Sequence, residues 1–327
     1  MGLFDEQVAR KPNNYPWTQQ FIDKMWAGFW TPNEFDFKSD FHQFKKEMTE
    51  DKKRMIVKTL SAIGQVEIAV KKFWAQLGDR FPHPSMSDLG YVMSNSEVIH
   101  NMAYEKLLER LNLSKAFEEN LTEPTLLGRV NYLRKYLARV SEDDRQQQIY
   151  ALILFTLFVE NVSLFSQFYI ILHENAFHNI LKDTAQQVQY TKNEETLHAQ
   201  VGIRLINTLR EEYPELFTED LASRISGEVL SAFEAEAKII DWMLTDVPEE
   251  EHLSPAILKT FIQKRINESL VSIGYGSKFG FALDPELVEK TLWFDEIVLG
   301  NAMTDFFHSR PIEYSKKNKV FDEADLF

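Results

Sequence analysis

A chain of 327 residues, 44% hydrophobic and 26% charged, has the composition of a folded globular protein of one or two domains. Its net charge of −14 lacks the basic footprint that unaided nucleic-acid binding needs. The absence of cysteine excludes disulfides, thiolate metal sites and thiol catalysis on this chain.

The first residues, Met1 to Lys11, contain no apolar core of the signal-peptide kind, and Glu6 stands where a myristoylation signal needs Ser or Thr. A reducing cytoplasm is the expected compartment. The chain then reads as an irregular arm to about residue 40. Helical spacing predicts long helices over about 50–78, 89–112, 124–140, 147–174, 180–213, 219–245 and 254–273. Pro82, Pro84, Pro124, Pro214, Pro248 and Pro255 fall in the gaps between them. Neither strand alternation nor a fixed-period repeat appears, so an all-α bundle is expected. Ile149 to Leu172 is apolar enough to resemble a membrane span. Its Glu160, Asn161, Ser163, Ser166 and Gln167 would be costly in lipid, which favours a buried helix and no membrane. The closing segment, 310–327, is charged and aperiodic and is expected to be a flexible tail.

Four of these helices carry an apolar stripe with polar intruders. Over 50–78 the stripe runs Ile56, Leu60, Ile63, Glu67, Val70, Trp74, Leu77, and Glu67 alone is charged. The next helix gives Met93, Glu97, His100, Tyr104, Leu107, with Glu97 and His100 at i and i+3. Over 147–174 the stripe is Ile153, Leu157, Glu160, Leu164, Phe168, Ile171, again with one charge. Over 180–213 it is Val188, Thr191, Glu195, His198, Gly202, Leu205, a second Glu-x-x-His pair. A carboxylate on a buried stripe is costly unless paired or bound to a metal. Two lone glutamates and two Glu-x-x-His pairs on four inward faces form the ligand set of ferritin-like dimetal carboxylate proteins. Carboxylate and imidazole suit Fe²⁺ and Mn²⁺, and four negative charges offset two dications. Glu249 and His252 have the same spacing, but they sit in a charged, proline-flanked loop and receive no role.

The order Glu67, Glu97-x-x-His100-x-x-x-Tyr104, Glu160, Glu195-x-x-His198 resembles the small (β) subunit of class I ribonucleotide reductase. The resemblance extends from Phe29-Trp30-x-Pro32-x-Glu34 to the acidic C-terminal end. It implies a ferritin-like helical bundle with extra helices over 1–309, and a tail, 310–327, that docks on a catalytic α subunit. It implies that the chain, as a homodimer, supplies that subunit with the oxidising equivalent for reducing ribonucleotides to deoxyribonucleotides. By position, Glu67, Glu97 and His100 would bind one metal and Glu160, Glu195 and His198 the other, with some carboxylates bridging. Tyr104 matches the site of the family's tyrosyl radical. Trp30, linked through Glu194 to a metal-bound His, matches the electron-transfer tryptophan. Tyr314 is the candidate relay in the tail.

The commonest family members have Asp where this chain has Glu67 and Glu194. Glu as first ligand is shared with manganese-using subgroups, so a dimanganese centre is favoured, with di-iron or mixed manganese–iron as alternatives. Lys71, one turn after Glu67, either pairs with it or draws an anionic oxidant such as superoxide towards the metals. Two rivals share the scaffold: another dimetal oxidase or oxygenase, and a ferritin-like storage shell.

Overall fold

A computed structural model of the chain describes residues 2–64, 67–129, 144–276 and 280–296, with residues 67–70 described by their backbone alone. Among the described residues the regular structure is helical, and pairing of the strand kind is confined to one isolated bridge between Glu250 and Leu253. The helices are α1 (Trp17–Ala27), α2 (Lys38–Lys46), α3 (Glu50–Gly64), α4 (Glu67–Ala75), α5 (Leu77–Arg80), α6 (Pro84–Arg110) and α7 (Ser114–Asn120). Residues 124–129, α8, are helical as well. They are followed by α9 (Arg145–Leu154), a π-helical segment (Phe155–Ser163), α10 (Phe165–His178), α11 (Lys182–Glu212), α12 (Glu219–Met243), α13 (Pro255–Ser272) and α14 (Pro285–Glu289).

The predicted long helices are present among the described residues, except that 50–78 is interrupted at Gln76 between α4 and α5, and two further corrections apply. The N-terminal 40 residues are not an irregular arm: α1 buries Thr18, Ile22 and Met25, a helical i, i+4, i+7 set too short to stand out among aromatic neighbours. The helix expected from about residue 89 begins at Pro84, whose fixed φ suits the first helical position, while His83 Nδ1 accepts the Ser85 N–H as a cap. The part of the 124–140 prediction beyond residue 129 lies outside the described residues.

The helix bearing Glu97 and His100, α6, packs along α4 and also touches α1, α3 and α11. Gly90 makes the first contact possible, because a Cβ there would lie 2.8 Å from Leu77 Cβ and collide with the Trp74 carbonyl. Helix α11 packs against α10, the π segment, α9, α2 and α6. Gly202 plays the matching part, since a Cβ on it would strike Thr156 of the π segment. The N-terminus of α11 is held by α2. Asp40 accepts the Thr184 N–H and hydroxyl, each at 2.7 Å, and Gln43 Oε1 accepts the Leu181 N–H at 2.9 Å. Asp40 thus serves as the N-terminal cap that α11's own sequence does not supply, and burial raises its carboxyl above the ordinary range.

One helical run, Arg145–His178, is long and apolar enough to cross a membrane, but 89% of its most apolar stretch is buried inside the protein. It is a core helix wrapped by its neighbours, in keeping with the polar residues along it.

Candidate metal centre

Glu97, Glu160, Glu195 and His198 converge from three segments, α6, the π segment and α11, with ligand-type atoms all within 4.8 Å of one another. All four are buried, as is His100. The orientation of two carboxylates is the informative feature. Glu97 turns Oε1 to His198 Nδ1 at 2.9 Å and Oε2 to His100 Nδ1 at 3.3 Å. Glu195 does the reverse, with Oε1 3.2 Å from His100 Nδ1 and Oε2 3.5 Å from His198 Nδ1. Glu160 lies on the His198 side only, its Oε2 3.6 Å from Nδ1. Two carboxylates therefore span the gap between two imidazoles, and a third terminates one side.

This arrangement satisfies itself poorly by hydrogen bonding. Glu97 Oε1, Glu160 Oε2 and His198 Nδ1 are buried without a directed hydrogen bond, although both carboxylate oxygens lie within 4 Å of that nitrogen. No lysine or arginine pairs with Glu97, Glu160 or Glu195 among the described residues. Burial and the charge of Glu195 push the Glu160 carboxyl well above its ordinary range. Burial opposes ionisation of Glu195 too, but the closeness of Glu160 and of the two imidazoles outweighs it and holds that carboxyl low. Burial would lower His198, yet its contacts with Glu160, Glu195 and Glu97 raise it. Protons here hold together acids that cations would hold better. The donor set fits divalent metal ions.

Outer contacts orient the cluster. Trp74 Nε1 donates to Glu160 Oε1 at 2.6 Å, leaving Oε2 for the His198 side. Glu194 Oε2 lies 2.7 Å from His100 Nε2 and accepts the Trp30 Nε1–H at 2.8 Å. A proton on His100 Nε2 would make Glu194 its acceptor as well as that of Trp30 and would turn the Nδ1 lone pair towards the cluster. Trp30 is buried, with its ring 6.2 Å from that of His100 and inclined by 26°.

Tyr104 is buried on α6, one turn past His100, and lines a cleft of about 460 Å³ together with Gly64, Asn101, Leu108 and Phe117. Lys71 donates to Asn101 Oδ1 at 3.1 Å, and Asn101 Nδ2 donates to the Glu97 carbonyl at 3.0 Å. Glu67 opens α4, but its side chain lies outside the described residues, as do Tyr314 and the whole 310–327 tail. Glu249 is exposed and His252 stacks on Phe177, apart from the cluster. Trp74 and Asn101 were not expected to take part. An indole on an apolar stripe reads as core, and an asparagine beside a histidine carries no spacing signal.

Comparison with known proteins agrees with this geometry. The family model for the ribonucleotide reductase small chain matches residues 8–285. The chain is 23% identical over 336 residues to the probable ribonucleoside-diphosphate reductase small subunit of Invertebrate iridescent virus 3, covering 98% of this chain and 87% of that one. Its fold is similar to that of a putative class I ribonucleotide reductase from Bacillus halodurans, with TM-score 0.76, 20% identity, and 86% and 99% of the two chains covered. It is also similar to dimanganese(II)-NrdF from Streptococcus sanguinis, with TM-score 0.73, 14% identity, and 88% and 99% covered. With a helical bundle of this kind and a family match over most of its length, the chain belongs to the ribonucleotide reductase small-chain family.

Proposed function

We propose that Glu97, His100, Glu160, Glu195 and His198, with Glu67 from α4, would hold two divalent metal ions, Glu97 and Glu195 being the carboxylates shared between the two histidines. The observation that carries this reading is the two-sided placement of Glu97 and Glu195 between His100 and His198. The sequence assigns Glu67, Glu97 and His100 to one metal and Glu160, Glu195 and His198 to the other with some carboxylates bridging, and this placement supports Glu97 and Glu195 as the shared pair. Bound there, a redox-active pair would supply the oxidising equivalent that a class I small chain provides to its catalytic large subunit for ribonucleotide reduction. A dimanganese centre is favoured over di-iron or manganese–iron. Glu at position 67 and the likeness to a dimanganese small chain support it.

The protein's own groups have distinct tasks. Glu194 holds the His100 proton on Nε2 and joins that imidazole to Trp30, forming the hydrogen-bonded exit towards the partner. Tyr104 is the buried phenol nearest in sequence to a ligand and is the candidate radical site. Lys71, tethered to α6 through Asn101, would draw an anionic oxidant towards the centre. Tyr314 would relay between Trp30 and the large subunit, and 310–327 would dock on it. Exposed Tyr91, Val98 and Met102 share one face of α6, at i, i+7 and i+11, and support a homodimer formed through that helix. The cytoplasm is the proposed compartment.

The test is to load metal-free protein with Mn²⁺ or Fe²⁺ and oxidise it with oxygen or superoxide. EPR spectra are then recorded alongside nucleotide reduction with the large subunit. A coupled multiline manganese signal accompanying activity is expected, with Lys71→Ala slowed in superoxide-driven assembly. A tyrosyl signal that tracks activity and disappears in Tyr104→Phe would move the oxidising equivalent to Tyr104. Activity with iron alone would refute the manganese assignment.

A further inference from the structure

A second group of ligand-type side chains lies at the far end of α10, outside the Glu97–His198 cluster. His173, His178 and Glu250 present ligand-type atoms all within 4.8 Å of one another. His178 closes α10, and the next residue, Asn179, turns the chain in the left-handed region. Glu250 comes from the turn before α13, which is fixed by reciprocal backbone hydrogen bonds between Glu250 and Leu253. Both imidazole Nε2 atoms face one carboxylate oxygen: Glu250 Oε2 is 2.7 Å from His178 and 3.9 Å from His173.

Two further observations point to a ligand. His173 is only 1% exposed, yet its Nδ1 makes no hydrogen bond, although Glu174 Oε1 lies 3.5 Å away. A cation on Nε2 would place the ring proton on Nδ1, with the Glu174 carboxylate 3.5 Å away as the nearest acceptor to which a small ring rotation would turn it. The ring is also held in place, packed 4.8 Å from Phe177 and 5.9 Å from Trp293. The second observation concerns charge. Lys52 binds Glu174 and the other oxygen of Glu250, at 3.0 and 3.1 Å, and leaves Glu250 Oε2 to the two imidazoles. With both imidazoles neutral, two carboxylates and one ammonium leave one net negative charge for a dication.

We propose that His173, His178 and Glu250 form a mononuclear site for a zinc-class divalent ion, with Glu174 and Lys52 as its outer shell. Two imidazoles and a carboxylate are a zinc donor set. Ligand atoms about 2.1 Å from a tetrahedral ion stand roughly 3.4 Å apart, and the observed 2.7 and 3.9 Å bracket that spacing. His178 and Glu250, about a third exposed, leave the ion open to solvent, and a water completes the tetrahedron. The ion would fasten the end of α10 to the turn that starts α13.

The full-length protein is saturated with Zn²⁺, freed of excess, and its metal content measured by mass spectrometry. Crystals are examined for anomalous scattering at the zinc edge. Wild type should hold one more zinc per chain than either His178→Ala or Glu250→Gln, with an anomalous peak between His173 and His178. The Glu97→Ala variant should lose zinc elsewhere and keep this peak, so the two sites are read separately. Equal zinc content in wild type and His178→Ala, or no peak at His173 in the zinc-saturated crystal, would overturn the proposal.

Discussion

Trp74 offers the sharpest test of how the candidate metal centre is held. Its indole N–H donates at 2.6 Å to Glu160 Oε1, and both partners are buried, so no water is at hand to replace it. Trp74→Phe removes the donor while keeping an aromatic ring. A hydrogen bond to an ionised group contributes about 1.5–3 kcal/mol. With metal bound, Glu160 is a carboxylate and the full amount is lost. Without metal, burial and the charge of Glu195 push its carboxyl well above the ordinary range, towards the neutral form, and the loss moves towards that of a neutral bond, about 1 kcal/mol. The difference, about 0.5–2 kcal/mol, falls on metal affinity and corresponds to a loss of roughly 2–30-fold. Mn²⁺ titration followed by the EPR signal of free aqueous Mn²⁺ should show one of two binding steps weakened by that factor. The affected step is the one on the His198 side, where Glu160 sits. The step served by His100 should move much less. Unchanged affinities for both ions would refute the idea that Trp74 orients Glu160.

Glu236 and Trp30 give two more expected outcomes. Glu236 is buried 3.7 Å from Arg129, and burial pushes its carboxyl up from an ordinary 4.5 to about 7, against the pull of that guanidinium. The folded chain then keeps a proton that the unfolded chain loses, so stability falls as pH rises from about 4.5 to about 7, by up to about 3 kcal/mol. Urea unfolding of metal-free protein at pH 5 and pH 8 should show this loss in wild type and less of it in Glu236→Gln; equal losses in both would contradict it. Trp30→Phe breaks the bond to Glu194 and should leave metal content and helicity intact while nucleotide reduction falls to background. Activity that merely tracks metal content would make Trp30 structural.

Helices α6 and α11 are legible in the sequence because each presents one buried face, so Glu97, His100, Glu195 and His198 stand out against a regular apolar stripe. The helix carrying Glu160 could not be read as finely. It is buried nearly all round, and the stripe through Ile153, Leu157, Glu160 and Leu164 assumed one uninterrupted period. The π-helical turn over Phe155–Ser163 has no signature in composition. Bridging by some carboxylates was expected, but which ones was hidden for another reason, since which oxygen of Glu97 faces which imidazole depends on how α6 and α11 cross. The His173, His178 and Glu250 group combines an i, i+5 pair with a residue from a distant turn, a combination that no helical period marks. Asp40 went unseen as a cap because it sits on a different helix from the N–H groups it serves.

The π segment has a consequence for how this helix tolerates change. Each residue beyond the α repeat rotates the remainder of the helix by roughly 100°. The run from Arg145 to His178 therefore meets its neighbours in two settings out of phase with each other: both halves touch α11, but α9 also meets α12 while α10 meets α3. Substitutions that repack one half need not be matched in the other. Glu160, seated in the wide turn between them, is insulated from drift on either side.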